Sequence, residues 1–102
     1  MATLEEITGE MQKAVGADSG LGKTLKFDFK GDGFVYIDGG SVTNEDLPAD
    51  LVMTLSMDDL LAIGAGSLDP TMAVMTGKLK LSDMGAAMAL QSKMATLFAK
   101  MR

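Results

Sequence analysis

Thr24-Leu25-Lys26-Phe27-Asp28-Phe29-Lys30-Gly31-Asp32-Gly33-Phe34-Val35-Tyr36-Ile37-Asp38-Gly39-Gly40-Ser41-Val42-Thr43 is the stretch that decides the fold. Leu25, Phe27 and Phe29 alternate with Lys26, Asp28 and Lys30, the two-residue period of a strand with one dry face and one wet face. Gly31-Asp32-Gly33 predicts a tight turn into Phe34-Val35-Tyr36-Ile37-Asp38, and Gly39-Gly40 a second turn toward Ser41-Val42-Thr43. The reading is three antiparallel strands in a meander.

Outward from the meander the period changes. Before it, Thr3-Leu4-Glu5-Glu6 has the T-x-x-E form of a capping box, and Leu4, Ile7, Met11, Ala14 and Val15 follow at helical spacing up to Gly16. After it, Asn44 to Pro48 reads as polar loop, and Leu51, Met53 and Leu55 alternate with Val52, Thr54 and Ser56 as a fourth strand. Ser56, with Asp59 three residues on, caps a short helix holding Leu60, Leu61 and Ile63 that ends at Gly64-Ala65-Gly66. Asp69-Pro70 is an N-cap followed by proline at the first helical position, opening a brief helix through Met72 and Met75 to Gly77. Lys78 to Ser82 alternates again as a fifth strand, and Asp83 caps a long final helix. The fold class is α+β: a five-stranded, mainly antiparallel sheet covered by an N-terminal helix, two short helices and a long C-terminal helix.

With 102 residues, 47% of them hydrophobic and 23% charged, the chain is expected to form a single domain over 1–102. It has no Cys and no His, which removes disulfides, Cys/His zinc sites and nucleophile–histidine machinery. No enzyme activity and no cofactor are expected. Nine basic residues stand against fourteen acidic ones, for a net charge of −5, so nucleic acid is not an expected partner. The same balance argues against electrostatic adhesion to anionic membranes, though not against brief apolar contact with lipid. No apolar run approaches the ~20 residues of a membrane helix, and Met1 to Glu10 lacks a basic leader region, so a cytoplasmic location is expected. Ten methionines, most of them after residue 56, give the second half an adaptable apolar surface.

Two glycine-rich stretches imitate ligand loops. Ala17-Asp18-Ser19-Gly20-Leu21-Gly22-Lys23-Thr24 matches a relaxed phosphate-loop pattern, but a helix precedes it and a strand follows, the reverse of what a phosphate cradle needs; a flexible connector is the expectation. Asp28 to Gly33 resembles the start of a calcium loop, yet Lys30 occupies a ligand position and Gly39 stands where the bidentate Glu belongs; a β-turn explains it. Glu5-Glu6, Glu45-Asp46 and Asp58-Asp59 sit at helix starts or in a loop, where acids favour the helix dipole and solvent rather than acid–base chemistry.

In the final helix Met84, Ala87, Met88, Leu90, Met94, Ala95, Leu97, Phe98 and Met101 fill about half the circumference at about 100° per residue. A stripe a little over 100° wide seats a helix on a sheet, so this one has apolar surface to spare. Gln91 lies roughly 30° from the arc's centre. Its amide is expected to have a partner there: backbone, water, or the polar end of an apolar guest beneath the helix.

The second half also carries a resemblance. Ala49-Asp50-Leu51-Val52-Met53-Thr54-Leu55-Ser56, Asp58-Asp59-Leu60-Leu61, Leu68-Asp69-Pro70, Met75-Thr76-Gly77-Lys78-Leu79-Lys80-Leu81 and Met84-Gly85-Ala86-Ala87-Met88-Ala89-Leu90-Gln91, in that order, resemble the sterol carrier protein 2 domain family. The resemblance implies an apolar tunnel between sheet and helices that takes fatty acids, fatty acyl-CoA, phospholipids or sterols, without catalysis. It places Gln91 on the glutamine of the last helix that faces the tunnel, and Met84 and Met88 on apolar positions of the same segment. Leu60, Leu61, Ile63, Met72 and Met75 fall on the two short helices that cover the cavity. The family usually has a glycine before the last helix, whereas Ser82 here runs directly into Asp83. The ending Ala99-Lys100-Met101-Arg102 is not the peroxisomal Ser-Lys-Leu, which favours a free-standing, bacterial-type member.

The resulting expectation is intracellular lipid binding and transfer by a monomer or weak dimer that makes transient contact with a membrane or an enzyme. Opening would occur at the Gly64-Ala65-Gly66 joint. The alternative is a protein-interaction or accessory module in a lipid or isoprenoid-quinone pathway complex.

Overall fold

A computed structural model describes residues 3–17 and 20–100, with the Phe98 side chain excepted. Asp18 and Ser19 of the phosphate-loop look-alike, and Met101 and Arg102 at the end of the apolar helix, lie outside the described residues.

Helix α1 spans Leu4–Val15, and the capping box is in place: Thr3 Oγ1 accepts the Glu6 amide at 3.2 Å. The meander follows as β1 (Leu25–Asp28), β2 (Phe34–Asp38) and β3 (Ser41–Thr43), paired antiparallel with Leu25 opposite Ile37 and Ile37 opposite Val42. The first turn begins one step earlier than the glycines suggest. The Phe29 amide donates to Gly33 O at 3.0 Å, and the Asp28 carboxylate accepts the Lys30 amide at 3.0 Å, with Lys30 itself at φ 56°. The calcium-like carboxylate is thus spent on turn geometry. Gly33 is required here, because at φ 122° a Cβ would also stand 2.5 Å from the Leu4 side chain of α1.

Strand β4 (Leu51–Thr54) pairs with β1 in parallel, Leu25 opposite Leu51 and Phe27 opposite Met53. Helix α2 spans Met57–Gly64 with Ser56 as N-cap, α3 spans Pro70–Met75 with Asp69 as N-cap, and α4 spans Met84–Lys100. Between α3 and α4, β5 pairs antiparallel with β4, giving the sheet order β3-β2-β1-β4-β5. Strand β5 covers only Lys80–Leu81, shorter than the alternation from Lys78 to Ser82. The reason is hydrogen-bond competition: the Lys78 and Leu79 amides donate to Ala73 O, closing the end of α3 instead of extending the ladder.

The missing glycine before α4 is accommodated by Ser82. Its amide donates to Val52 O at 3.0 Å and its hydroxyl accepts the Val52 amide at 2.8 Å, so both backbone groups of Val52 are satisfied at a single residue. Asp83 then caps α4 at once, Oδ1 accepting the Ala86 amide at 3.2 Å.

One face of the sheet, from Leu25, Phe27, Val35 and Ile37 to Leu51 and Met53, joins Ile7 and Met11 of α1, Leu60 and Ile63 of α2, and Leu90 and Leu97 of α4 in a single core. Phe27 and Phe29 stack within it, ring centroids 6.2 Å apart. The other face is partly covered by the 44–50 loop, where Tyr36 Oη donates to Pro48 O and Lys26 pairs with Asp46 while lying over the Phe34 ring.

Candidate functional site

The half of the chain after β4 arranges its apolar side chains in two sets. Leu60 and Ile63 point down from α2 into the core, and Ala73 is the buried anchor of α3. Helix α4 sits on this core through Ala87, Leu90, Met94 and Leu97, a stripe only about 80° wide on the helical wheel. The second set faces out: Leu61 of α2, Met72 and Met75 of α3 at 51% and 75% exposed, and Met84 and Met88 of α4 at 56% and 72%.

Gln91 corrects an expectation. It is exposed rather than held in the middle of a buried arc, so water meets its amide and no internal partner is needed. The physical reason is geometric: Met84, Met88, Gln91 and Ala95 follow the i, i+4, i+7, i+11 line, about 110° round the helix from the seated stripe. A helix resting on a single layer buries one such line, and the wide arc divides into a seated half and an exposed half. Of the candidate residues, Leu60 and Ile63 are brought together with α4 in the core, whereas Met84, Met88 and Gln91 share one exposed line turned away from it.

The Gly64-Ala65-Gly66 joint is a closed turn. The Ala65 amide donates to Leu61 O, Gly66 to Ile63 O, and Ser67 and Leu68 both to Ala62 O. Gly66, at φ 82°, is the residue that lets the chain reverse. The joint expected to bend is therefore bonded onto the last turn of α2.

The glycine loop before β1 is likewise less free than a flexible connector. Leu21 is buried in the core, and Lys93 Nζ of α4 donates to Leu21 O at 3.4 Å. At its end, Thr24 and Asp50 clamp each other: the Thr24 amide and Oγ1 donate to Asp50 Oδ2 at 2.9 and 3.1 Å, and the Asp50 amide donates to Thr24 Oγ1 at 2.8 Å. These bonds hold the Asp50 carboxyl below its ordinary range, Thr24's backbone amide first and its hydroxyl second. A cleft of about 480 Å³ lies here, lined by Gly20, Gly22, Lys23, Thr24, Asp38, Gly39 and Asp50. The Thr24 amide that a phosphate would need is already given to a carboxylate, and Asp38 adds a second negative charge, so the cleft is not a phosphate cradle. Sequence patterning gave no signal for this clamp, because a Thr and an Asp 26 residues apart meet only through the parallel pairing.

Among the described residues no group of three His, Cys, Asp or Glu side chains is placed to hold a metal ion, and no helix is long and apolar enough to cross a membrane.

Comparison with known proteins places this architecture. The solved structure of sterol carrier protein 2 like 2 from Aedes aegypti superimposes with a TM-score of 0.71 over 90% of this chain and 93% of that one, at 25% identity. Hydroxysteroid dehydrogenase-like protein 2 of Danio rerio is 42% identical over 67 residues, 63% of this chain. Sterol carrier protein 2 of Gallus gallus is 44% identical over 55 residues, 53% of this chain. The chain spans only 16% and 10% of the length of these two relatives. A model of the SCP-2 sterol transfer family matches residues 3–95, from the Thr3 cap of the first helix through the Met94 seat of the last, and the chain belongs to that family.

Proposed function

We propose that this protein binds one acyl chain or a similarly apolar lipid, a fatty acid, fatty acyl-CoA, phospholipid or sterol-like molecule, in an apolar tunnel under its helices, and passes it on without chemical change. Its family as a whole points to lipid binding and transfer. The observation that carries the reading for this chain is the divided arc of α4, whose unseated half leaves Met84 and Met88 as apolar surface beyond what seating the helix needs. Leu60 and Ile63 form the floor of the site. Leu61, Met72 and Met75 line its cover, with Met84 and Met88 at the mouth and Gln91 meeting the polar end of the ligand. The work is done by a single domain inside the cell.

Each methylene taken out of water contributes about 0.8 kcal/mol, or roughly a fourfold gain in affinity. Admission of the chain requires α3 to lift, since Ala73 is its one fully buried side chain and few contacts hold so short an element. The turn at residues 64–66 is bonded onto α2, so the movement lies after it, in α3 rather than at the joint.

The test is native mass spectrometry of protein purified without detergent, followed by organic extraction. A stoichiometric lipid is the expected result, and Met88→Trp is expected to lower its uptake in a folded variant. Protein that emerges bare, and stays bare when offered fatty acids and phospholipids, would overturn the reading. It would favour the second one, an interaction or accessory module, which the exposure of Met84 and Met88 also supports. That module would show a mass in sedimentation that rises with concentration or with an added partner.

A further inference from the structure

We propose that Met72 and Met75 of α3 and Met84 and Met88 of α4 are a reversible oxidation site, through which peroxide lowers the protein's hold on its lipid. The inference rests on the lipid-binding reading above and adds its regulation. Among the described residues six large apolar side chains are exposed, and four of them are these methionines; the other two, Leu47 and Leu61, are the least exposed of the six. The exposed apolar surface is thus built chiefly from the one apolar side chain that a mild oxidant turns polar. Leucine at these positions would be as apolar and could not be switched.

Nothing else in the chain competes for the oxidant. The sequence has no Cys, His or Trp, and its single tyrosine, Tyr36, is buried with its hydroxyl donated to Pro48 O. Burial then divides the methionines themselves: Met11, Met53 and Met94 lie within the core, and Met57 packs against it. The rest of the core is leucine, isoleucine, valine, alanine and phenylalanine, which peroxide leaves alone. Oxidation therefore reaches the outer set while the packing that holds the fold stays as it was.

In the reaction a thioether sulfur attacks one oxygen of hydrogen peroxide. The S–O bond forms as the O–O bond breaks, sulfur gives up two electrons, and the remaining hydroxyl leaves with a proton as water. Methionine sulfoxide reductases, one for each epimer, run the change back: the oxygen departs as water while a dithiol becomes a disulfide. In the lipid-free protein the sulfoxide oxygen is hydrated. Against an acyl chain it would lose that water and find no donor, so the oxidised site disfavours the bound state.

Palmitic acid is the probe, because peroxide does not react with its saturated chain, and uptake is read by native mass spectrometry after catalase has removed the oxidant. Peptide mass spectrometry is expected to find the added oxygen on Met72, Met75, Met84 and Met88, with Met11 and Met53 unaltered. Uptake is expected to fall about tenfold with an unchanged circular dichroism spectrum, and to return after treatment with both reductases and dithiothreitol. The combined variant Met72→Leu, Met75→Leu, Met84→Leu and Met88→Leu is expected to show the same uptake before and after peroxide, whatever its starting level. A loss that the reductases do not restore, an equal proportional loss in the leucine variant, or a loss that accompanies unfolding would overturn the proposal. Uptake that survives oxidation of all four methionines overturns this inference alone. Untreated protein that takes up no palmitic acid or other lipid overturns the lipid-binding reading, and this inference with it.

Discussion

At Thr24 and Asp50 three short hydrogen bonds fix where the parallel pair begins, and a carboxylate takes the place an anion would need. Because the folded Asp50 titrates below its ordinary value of 3.8, its contribution to stability is complete above that pH and is lost as pH falls through the lower, folded value. Asp50→Asn is accordingly expected to lower the melting temperature slightly near neutral pH and to flatten the acid limb below about pH 4, measured by circular dichroism melts across pH 2–7. The pair is exposed, so the effect at neutral pH should be small. The methionines sort at the same scale. Peroxide is expected to convert Met75 and Met88 to sulfoxides well before the buried Met11 and Met53, read by peptide mass spectrometry.

Elements were legible where the signal is local. Thr3, Ser56, Asp69 and Asp83 each cap the helix their spacing announced, since a cap needs only a side-chain oxygen two or three residues before an orphan amide. The length of β5 was not legible, because it depends on whether the Lys78 and Leu79 amides turn to Ala73 or to a neighbouring strand. Nor was the parallel partner of β1, which lies beyond the meander. The width of the α4 arc could be read directly from residues 84–101, but not which half would be seated; that depends on where α1 and α2 pack against the helix. This division makes a paired prediction. Leu90→Ala should cost about 2–5 kcal/mol in urea unfolding, as a buried leucine does. Met88→Ala should change stability by less than about 0.5 kcal/mol while weakening lipid uptake.

At the scale of the whole molecule, an apolar ligand that binds only the folded state adds to stability by mass action. A saturating fatty acid at about a hundred times its dissociation constant should add about 2.7 kcal/mol. Across a series of chain lengths the gain should grow until the proposed site is filled and then level off, and thermal melts would read the depth of the proposed tunnel from that plateau. A gain that does not depend on chain length would mean the chain is not enclosed.

The sheet ends in two very short strands, the three residues of β3 and the two of β5. A protein that displays methionines to solvent runs the risk of sticking to its own copies. Self-association into fibres needs a long, unpaired row of backbone donors and acceptors to template the next chain. Here neither border of the sheet is long enough to serve, so the molecule can expose adaptable apolar side chains while its backbone gives a second copy little to build on.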